Sequence, residues 1–476
     1  MLTQSICQQA RLSRDQRFDG KFFTAVLTTG IFCRPTCPAR PPKEENVRYY
    51  QNALLAQQAG FQPCKRCLPE LAPQTKLPCD IAKLVEQLES GLSLTTLSQQ
   101  FKISERQIRR LFVQHLGLPP SQYLQQQKLL LARKLLRSTS LSMADICFAA
   151  GFHSIRRFNE AIKQHYHCSP SELKKSPETT KDNPITINLA YRPPFDWPLM
   201  LTFFKLRQVP SIEQVTDTQY CRTVSFDDCT GWFSVSQHAT KAELIVTLQL
   251  SNYQRLTQVL TNIRRMFDLD ADMSVIHQHL SANPILSRVI QQYPGLRLPG
   301  CWDVFEFSIR AILGQQISVK AATTLADRIT QQYGSDAPEN PWQLKKHFPN
   351  LAQLQAAEFT AIGLTKTRIQ TLKNWLAFIA QQNTNKFNIF SQYQTIEQFE
   401  QQLITVKGIG PWTANYLAMR GLSEPDAFPS ADLGIIKALT TSTQSPPNNK
   451  AILSTVQAWR PWRSYAAIYL WHSLAH

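Results

Sequence analysis

Two kinds of segment are missing from this sequence of 476 residues. No stretch of about 18 apolar residues occurs, so we expect no membrane span and no membrane partner. Residues 1–11 lack the apolar core of a secretory signal peptide, and Arg14 follows closely. The 11 cysteines therefore indicate a reducing compartment such as the cytoplasm, where clustered cysteines bind metals or react as thiols.

Acidic residues are also scarce. The 34 Asp and Glu residues face 51 Lys and Arg residues, which leaves a net charge of +17. Most of this surplus lies in residues 1–183, with 26 basic against 14 acidic residues, whereas residues 184–476 have 25 against 20. The imbalance indicates a polyanionic partner such as nucleic acid, although a solvated basic surface explains the charge equally well.

The chain is long enough for several domains, and no repeat of solenoid length is visible. Cysteine pairs and many prolines occupy residues 1–75, and a helical pattern covers residues 81–173. A polar linker follows at residues 174–184. Alternating apolar runs then predict strands at residues 222–226, 231–235 and 243–250. Helical periodicity returns from about Trp302 and continues to the last residues.

Four cysteines form two close pairs, Cys33 with Cys37 and, after 26 intervening residues, Cys64 with Cys67. Two short chelating pairs are typical of a tetrahedral Zn²⁺ site, whereas unrelated core cysteines rarely cluster in this way. Four thiolates on Zn²⁺ leave a charge of about −2. Three basic neighbours could neutralise that charge or hold DNA phosphates beside the thiolates: Arg34, Lys65 and Arg66.

The stretch TTGIFCRPTCPAR…ENVRYY…AGFQPCKRCLPE, within residues 18–70, resembles the zinc domain of the Ada family of bacterial alkylation-response proteins. This resemblance implies that Cys33 removes a methyl group irreversibly from a methylphosphotriester in DNA while it remains a zinc ligand. Methylation would then change the charge of the site from about −2 to about −1, which lowers its repulsion from DNA and raises affinity.

Two helix-turn-helix patterns follow, from Leu94 and from Met143, and a helix predicted at Pro120–Ser138 joins them. In the first pattern, Ser104 and Gln107 are predicted to form a capping box. One such pattern also fits a helical scaffold, but the two together resemble AraC-type regulators, whose recognition helices enter adjacent major grooves. The resemblance implies promoter DNA and RNA polymerase as partners, and it implies five DNA-contacting arginines: Arg106, Arg109, Arg110, Arg156 and Arg157.

In the stretch GIGPWTANYLAMRG, Gly408 and Gly410 flank Ile409 in a predicted tight turn between two helices. Such a turn directs backbone N–H groups at a phosphate. Asp432 follows 22 residues after Gly410. This arrangement resembles the helix-hairpin-helix DNA glycosylases, which bind DNA through the turn, here Val406, Gly408 and Gly410.

Residues 184–471 resemble more closely the AlkA type of 3-methyladenine DNA glycosylase II, through LAYRPPFDWPLML, GLRLPGCWDVFEFSIRAILGQQISVKAA and WRPWRSYAAIYLW. The resemblance implies that Asp432 is the essential carboxylate and that Trp412, Tyr416 and Trp471 line an aromatic pocket. Without these motifs, Asp432 would be read as a helix N-cap and the aromatic residues as core. Gln316 stands where the family has an apolar residue that fills the gap left by a flipped base.

The expected chemistry follows from the lesion. An alkylated purine such as 3-methyladenine is cationic, so a carboxylate can stabilise the positive charge that develops on the sugar or orient water onto it. The base must first leave the duplex, and aromatic faces then favour a cation.

Trp412 occupies the position of the Schiff-base lysine of glycosylase/lyases, so a monofunctional enzyme is expected. We expect no iron–sulfur cluster, because no late four-cysteine cluster occurs, and no O6-methylguanine repair, because no Pro-Cys-His-Arg stretch occurs.

The sequence thus predicts a multidomain α+β protein of a bacterial cytoplasm, associated with the nucleoid. Its expected parts are a small zinc domain at 1–75, an all-α double helix-turn-helix domain at 80–175, a linker at 176–184, a small sheet-containing α+β domain at 185–298 and an all-α helix-hairpin-helix glycosylase body at 299–476. Its expected function joins a methyl-accepting sensor and regulator to an enzyme that excises alkylated bases from double-stranded DNA. Two alternatives stay open: a regulator whose glycosylase half only docks, and an enzyme whose first half only delivers it to DNA.

Overall fold

The computed structural model describes residues 2–64, 66–67, 69, 72–73, 79–89, 91–174, 184–381, 395–440 and 448–474. The chain forms two compact units, the first made of Met1–Pro193, Gln237–Leu260 and Leu269–Asp272, and the second of Pro194–Ser236, Thr261–Asp268 and Met273–His476. The predicted linker at 176–184 lies, apart from Pro184, outside the described residues. The predicted domain boundaries stay predictions. Among the described residues, none of the helices combines the length and the hydropathy that a membrane crossing requires.

A four-stranded sheet carries the first cysteine pair. The elements of this segment are α1 (Gln4–Leu12), β1 (Phe23–Val26), β2 (Ile31–Cys33), β3 (Val47–Tyr50), α2 (Ala53–Gln58) and β4 (Gln62–Pro63). The strand order is β3-β1-β2-β4, and β2 and β4 run parallel with Phe32 opposite Pro63. Phe23, Ala25 and Phe32 are buried against Ala56 of α2, which fixes the helix on the sheet.

In the described part of the first unit, the helices that follow are α3 (Cys79–Glu89), α4 (Leu94–Phe101), α5 (Glu105–Leu116), α6 (Pro120–Ser138), α7 (Met143–Ala149), α8 (Ile155–Tyr166) and α9 (Pro170–Leu173). The predicted capping box of Ser104 and Gln107 is confirmed at the start of α5, and α6 has the predicted bounds. Leu97, Ile108 and Phe112 are buried in one cluster, because their spacing places them on the facing sides of α4 and α5.

The five remaining strands are β5 (Ile185–Ala190), β6 (Glu213–Val215), β7 (Gln219–Phe226), β8 (Cys229–Gln237) and β9 (Glu243–Leu250). In the first unit β5 pairs antiparallel with β9, and in the second β6, β7 and β8 form an antiparallel meander. All three predicted strands are confirmed as β7, β8 and β9, and β9 has the predicted bounds. Every second residue of β9 is apolar and buried, from Leu244 to Leu250, which explains the accuracy of that prediction.

The other helices are α10 (Trp197–Lys205), α11 (Leu256–Met266), α12 (Met273–Leu280), α13 (Pro284–Gln292), α14 (Val304–Leu313), α15 (Val319–Tyr333), α16 (Leu351–Gln355), α17 (Lys366–Gln381), α18 (Ile396–Leu403), α19 (Pro411–Tyr416), α20 (Leu433–Leu439), α21 (Asn449–Thr455) and α22 (Arg463–Ser473). In this half of the chain helical periodicity is predicted only from about Trp302, and α10–α13 come before it, in the segment predicted to be α+β. The starts of α10 and α13 carried readable signals, since Asp196 and Asn283 cap them and proline follows each cap closely.

A buried ion network joins β7 to α14 in the second unit. Arg222 of β7 donates to Glu306 of α14 at 2.7 Å, and Arg310 donates to Glu306 at 2.9 Å and to Glu213 at 2.8 Å. Burial acts to raise the pKa of Glu306, but the two arginines outweigh it and hold that pKa below its ordinary value. The network fixes α14, and the Gln315–Gln316 turn follows directly from the end of this helix.

Candidate metal centre and catalytic pocket

The four cysteines come together because β2 and β4 run side by side. Phe32 lies opposite Pro63, so the next residues along the two strands, Cys33 and Cys64, are neighbours, and the N–H of Cys64 donates to the carbonyl of Phe32 at 2.9 Å. A tight turn after Cys33 brings back Cys37, whose N–H donates to the carbonyl of Arg34 at 3.1 Å. The sulfur atoms of Cys33, Cys37, Cys64 and Cys67 all lie within 4.8 Å of one another.

This cluster fits Zn²⁺ in geometry and in chemistry. A tetrahedron with Zn–S bonds of about 2.3 Å has sulfur atoms about 3.8 Å apart, which four sulfurs within 4.8 Å can satisfy. Backbone N–H groups also point at two sulfurs: that of Arg34 at Cys67 (3.3 Å) and that of Arg66 at Cys64 (3.4 Å). Such donors stabilise thiolates and orient them as ligands. The four cysteines form a zinc site.

The thiols of the cluster compete for their protons. Hydrogen bonds with Cys37 and Cys64 raise the pKa of Cys33, whereas hydrogen bonds with the other three cysteines lower the pKa of Cys64. A divalent cation resolves this competition, because it binds all four groups as thiolates.

Cys33 and Cys37 are partly exposed and Cys64 and Cys67 are buried, so a reactant from solvent can reach only the first pair directly.

The basic residues around the cluster have different surroundings. Arg34 is only 11% exposed, because its guanidinium binds the carboxylate of Asp19 and the carbonyl of Cys67. In this structure the guanidinium of Arg34 therefore binds Asp19 and does not lie on a surface that a phosphate can reach. Arg66 is exposed, whereas Lys65 lies outside the described residues. Arg192, which sequence reasoning missed, donates to the carbonyl of Asp19 at 2.9 Å.

The five arginines predicted to contact DNA in the helix-turn-helix units are all exposed: Arg106, Arg109 and Arg110 on α5, and Arg156 and Arg157 on α8. Ser154 caps α8, so Arg156 and Arg157 lie in its first turn. Two of the five pair with a glutamate one turn away, Arg109 with Glu105 at 2.8 Å and Arg156 with Glu160 at 3.0 Å. Exposed pairs of this kind are weak, so a phosphate can displace them.

The carboxylate of Asp432 accepts three hydrogen bonds. The indole N–H of Trp471 donates to Oδ1 at 2.8 Å, and the indole N–H of Trp412 donates to Oδ2 at 3.0 Å. The backbone N–H of Ile435 also donates to Oδ1, at 3.1 Å, so Asp432 is the N-cap of α20. Asp432 is therefore a helix N-cap that also contacts two of the predicted pocket residues, whereas its catalytic role stays a prediction.

The three predicted aromatic residues form one cluster beside this carboxylate. Trp412 and Tyr416 stack at 5.0 Å with 17° between their planes, and Trp471 meets Tyr416 edge-on at 6.3 Å. The phenol of Tyr416 accepts a hydrogen bond from Arg420 at 2.9 Å. Burial acts to raise the pKa of Tyr416, but Arg420 and Arg207 outweigh it and lower that pKa. Sequence reasoning missed Arg420, although it lies one helical turn after Tyr416.

The predicted hairpin turn is present between α18 and α19. Gly408 has φ +99°, and a Cβ there would lie 2.2 Å from Oγ1 of Thr371, so only glycine fits this turn. Gly410 is the N-cap of α19. The side chain of Val406 is buried, which leaves only its backbone for a DNA contact.

A glutamine pair lies against this turn. The amide of Gln315 donates to the carbonyl of Gly408 and to Oγ1 of Thr413, both at 3.0 Å. Gln316, the next residue, is exposed and has φ +56°, a left-handed conformation that is uncommon for a residue with a side chain. The structure thus places the predicted wedge position next to the hairpin turn. Sequence reasoning missed the role of Gln315, because its partners lie about 90 residues further along the chain.

Together these groups suit chemistry on a cationic ring attached to DNA. The Asp432 carboxylate supplies negative charge at the edge of the Trp412–Tyr416 stack, and both the carboxylate and the aromatic faces attract cations. An exposed glycine turn nearby offers backbone N–H groups to a phosphate.

Comparison with known proteins gives a consistent result along the chain. Three family profiles match: "Metal binding domain of Ada" at residues 6–70, "Helix-turn-helix domain" at residues 97–176 and "AlkA N-terminal domain" at residues 186–303. A Mycobacterium tuberculosis protein, the probable bifunctional transcriptional activator/DNA repair enzyme AlkA, is 34% identical over 484 residues, which cover 99% of this chain and 96% of that protein.

Two further matches concern the second half. The Escherichia coli DNA-3-methyladenine glycosylase 2 is 33% identical over 288 residues, 60% of this chain and 96% of that enzyme. The solved 3-methyladenine DNA-glycosylase of Archaeoglobus fulgidus superposes with a TM-score of 0.53 at 19% identity, over 60% of this chain and 96% of that one. At this low identity, the similarity to the Archaeoglobus fulgidus structure shows only that the two proteins share a fold over the matched residues.

Proposed function

This chain belongs to the family of bifunctional transcriptional activator/DNA repair enzymes AlkA, and on that premise we propose that it both repairs and senses alkylated DNA. Its second half is a DNA-3-methyladenine glycosylase II. Its first half is an Ada-type zinc domain that accepts methyl groups, joined to a helix-turn-helix regulator. The observation that carries the repair function is the Asp432 carboxylate, held by two indole N–H groups beside an aromatic stack.

We propose that Asp432 stabilises the positive charge that develops on the deoxyribose as the glycosidic bond breaks. The bond electrons leave with the alkylated base, which departs neutral because it was cationic before. Water then adds to C1′ of the sugar and releases one proton to the solvent, which leaves a neutral abasic deoxyribose. Trp412, Tyr416 and Trp471 would hold the flipped base through stacking and cation–π attraction. No lysine stands at the position of Trp412, so the reaction would end at an abasic site.

We propose that the Gly408 turn holds the DNA backbone through the N–H groups near Gly408 and Gly410, with Val406 contributing only backbone atoms. Gln316 would occupy the space that the flipped base leaves. Its amide can hydrogen-bond to the orphaned base opposite, which an apolar side chain cannot do. This role is supported by its exposed, left-handed position beside the turn.

Replacing Asp432 by Asn should slow excision of 3-methyladenine by about 10²–10³, or about 3–4 kcal/mol of transition-state stabilisation. The reason is the loss of the negative charge, since asparagine still caps a helix well. The amide NH₂ would also face an indole N–H, so some loss of thermal stability is expected. The measurement is single-turnover excision from alkylated DNA, beside a thermal melt.

Asp196→Asn is the matched control, because Asp196 caps α10 in the same way, with its side chain accepting from the N–H of Leu199 at 2.9 Å. That variant should excise at the rate of the unaltered protein. A folded Asp432→Asn protein with near-normal excision would contradict the catalytic role and leave Asp432 only as a helix cap.

We propose that Cys33 is the methyl acceptor. Its sulfur would attack the methyl carbon of a methylphosphotriester: an S–C bond forms, the C–O bond breaks, and the phosphodiester leaves with the electron pair. Bound zinc keeps the four cysteines deprotonated near neutral pH. The product thioether has no route back to a thiolate, so each chain would act once. Partial exposure of Cys33 supports its access to the backbone, as does exposed Arg66 nearby.

Incubation with DNA that carries methylphosphotriesters should add one methyl group to each chain, and peptide mass spectrometry should locate it on Cys33. Cys37 is an internal comparison, since it is partly exposed within the same cluster, and Cys168 is a control, since it is partly exposed outside the cluster. A methyl group on Cys37 in place of Cys33 would make the assignment wrong. Equal labelling of Cys168 would indicate unspecific alkylation.

We propose that the methylated first half regulates transcription from promoter DNA and contacts RNA polymerase there, and that the protein works at the nucleoid. The exposed arginines of α5 and α8 support the DNA contact. The regulatory signal would be the change in charge of the zinc site on methylation of Cys33, since a less negative site is repelled less by phosphates.

Methylation of Cys33 should therefore tighten binding of a short DNA duplex by about 1–2 kcal/mol at modest salt. The gain should shrink as salt rises, because ions screen the repulsion. Fluorescence anisotropy of methylated and unmethylated protein over a salt series provides the measurement. Equal affinities of the two forms at low salt would contradict an electrostatic switch.

A further inference from the structure

The glycine turn before α19 occurs a second time, before α17. In the Gly408 turn (residues 407–410), a glycine with φ +99° precedes buried Ile409 and the helix cap Gly410. In the Gly363 turn (residues 362–365), a glycine with φ +87° precedes partly buried Leu364 and Thr365. Thr365 caps α17 by accepting from the N–H of Arg368 at 3.3 Å. The two turns thus share the order of glycine, apolar residue and cap.

Short contacts fix the two turns relative to each other within the second unit. Arg368, in the first turn of α17, donates to the carbonyl of Gln315 at 2.5 Å, and Gln315 in turn donates to the carbonyl of Gly408. Asn374 of α17 also donates to the carbonyl of Lys407 at 3.0 Å. Gln315 is therefore a bridge between the turns, and Gln316 is attached directly to that bridge.

A groove of about 530 Å³ opens beside the Gly363 turn, and it is lined by cations. Lys320 and Arg328 of α15 and Arg368 of α17 contribute to its walls, and among the described residues that line it none is acidic. Lys320 and Arg328 are exposed, and Arg328 donates to the carbonyl of Ile362 at 3.1 Å. A Cβ on Gly363 would lie 3.1 Å from this guanidinium, so glycine keeps the turn open toward the cation.

We propose that this groove is a second binding site for the phosphate backbone of DNA, next to the proposed site at the Gly408 turn. Two observations favour DNA as the occupant: the three cations among the residues that line the groove, and its continuity with the Gly408 turn through Arg368 and Gln315. The inference rests on the proposed glycosylase function, since both sites would bind the same DNA duplex.

A second phosphate-binding site at this position would help the protein to hold a duplex from which a nucleotide has been extruded. Extruding a nucleotide from a duplex costs a few kcal/mol, and Gln316 offers less apolar surface than the residue usual at its place. Phosphate contacts on both sides of Gln315 and Gln316 would hold the duplex while the base is out. Each contact releases counterions, so each adds affinity that depends on salt.

The kinetic test replaces Lys320 by Ala in the full chain, because Lys320 is exposed and its loss leaves the fold intact. The DNA concentration for half-maximal single-turnover excision should rise roughly five-fold at low salt, and the slope of its logarithm against log salt should fall by about one. The maximal rate should not change, because the catalytic groups are untouched. An unchanged half-saturating concentration and slope would contradict the proposal.

Lys345→Ala is the matched control. Lys345 is also exposed, but it lies near the far end of α15: its neighbour Lys346 reaches the carbonyl of Gly334, which follows the last residue of that helix. That end is about 20 Å from the start of α15. The control variant should match the unaltered protein in half-saturating concentration and salt slope.

A footprint tests the groove without relying on excision. Lysines are acetylated with and without an excess of undamaged duplex, and mass spectrometry reports the rate at each site. Slower acetylation of Lys320 with DNA present, and no change at Lys345, would support the groove even for a protein that excises nothing. Equal acetylation of Lys320 with and without DNA would overturn the proposal, whatever the enzyme does.

Discussion

The carboxylate of Asp432 is the point on which the second half of the structure depends. Its two oxygens accept hydrogen bonds from Trp412 of α19, Trp471 of α22 and the N–H of Ile435 in α20. One side chain therefore fixes three helices and at the same time places a negative charge beside the aromatic stack. A carboxylate with this many donors has a set orientation before substrate arrives, and a preorganised charge is what stabilisation of a developing cation requires.

The zinc site imposes a comparable constraint on the first half. Parallel pairing of β2 with β4 brings Cys33 next to Cys64, so the strands themselves position the ligands. Of the four cysteines, two remain partly exposed, and this exposure separates a site that can react from one that only stabilises a fold. In the proposed function the two halves would therefore act on damaged DNA by different chemistry: a nucleophilic sulfur for the backbone and a carboxylate for the base.

Local sequence signals predicted local structure well. The capping box at Ser104, the bounds of α6 and β9, and the four-cysteine cluster all follow from spacing within short segments. Partners that lie far apart in the chain could not be predicted in this way. Nothing near Arg34 indicates that it binds Asp19, and nothing near Gln315 indicates its bond to Gly408. Local sequence also does not show that Asp432 caps α20 and at the same time accepts hydrogen bonds from Trp412 and Trp471, because the two tryptophans lie 20 and 39 residues away in the chain.

We propose that one chain performs both reactions: base excision with many turnovers, and methyl transfer that each chain carries out once. An assay with duplex DNA that carries methylated bases and methylphosphotriesters in excess over protein can record free base and protein-bound methyl in the same samples. Released base should continue to rise beyond one molecule per chain, while protein-bound methyl should stop at one. Methyl transfer that continues past one per chain, or base release that stops at or below one, would contradict this proposal.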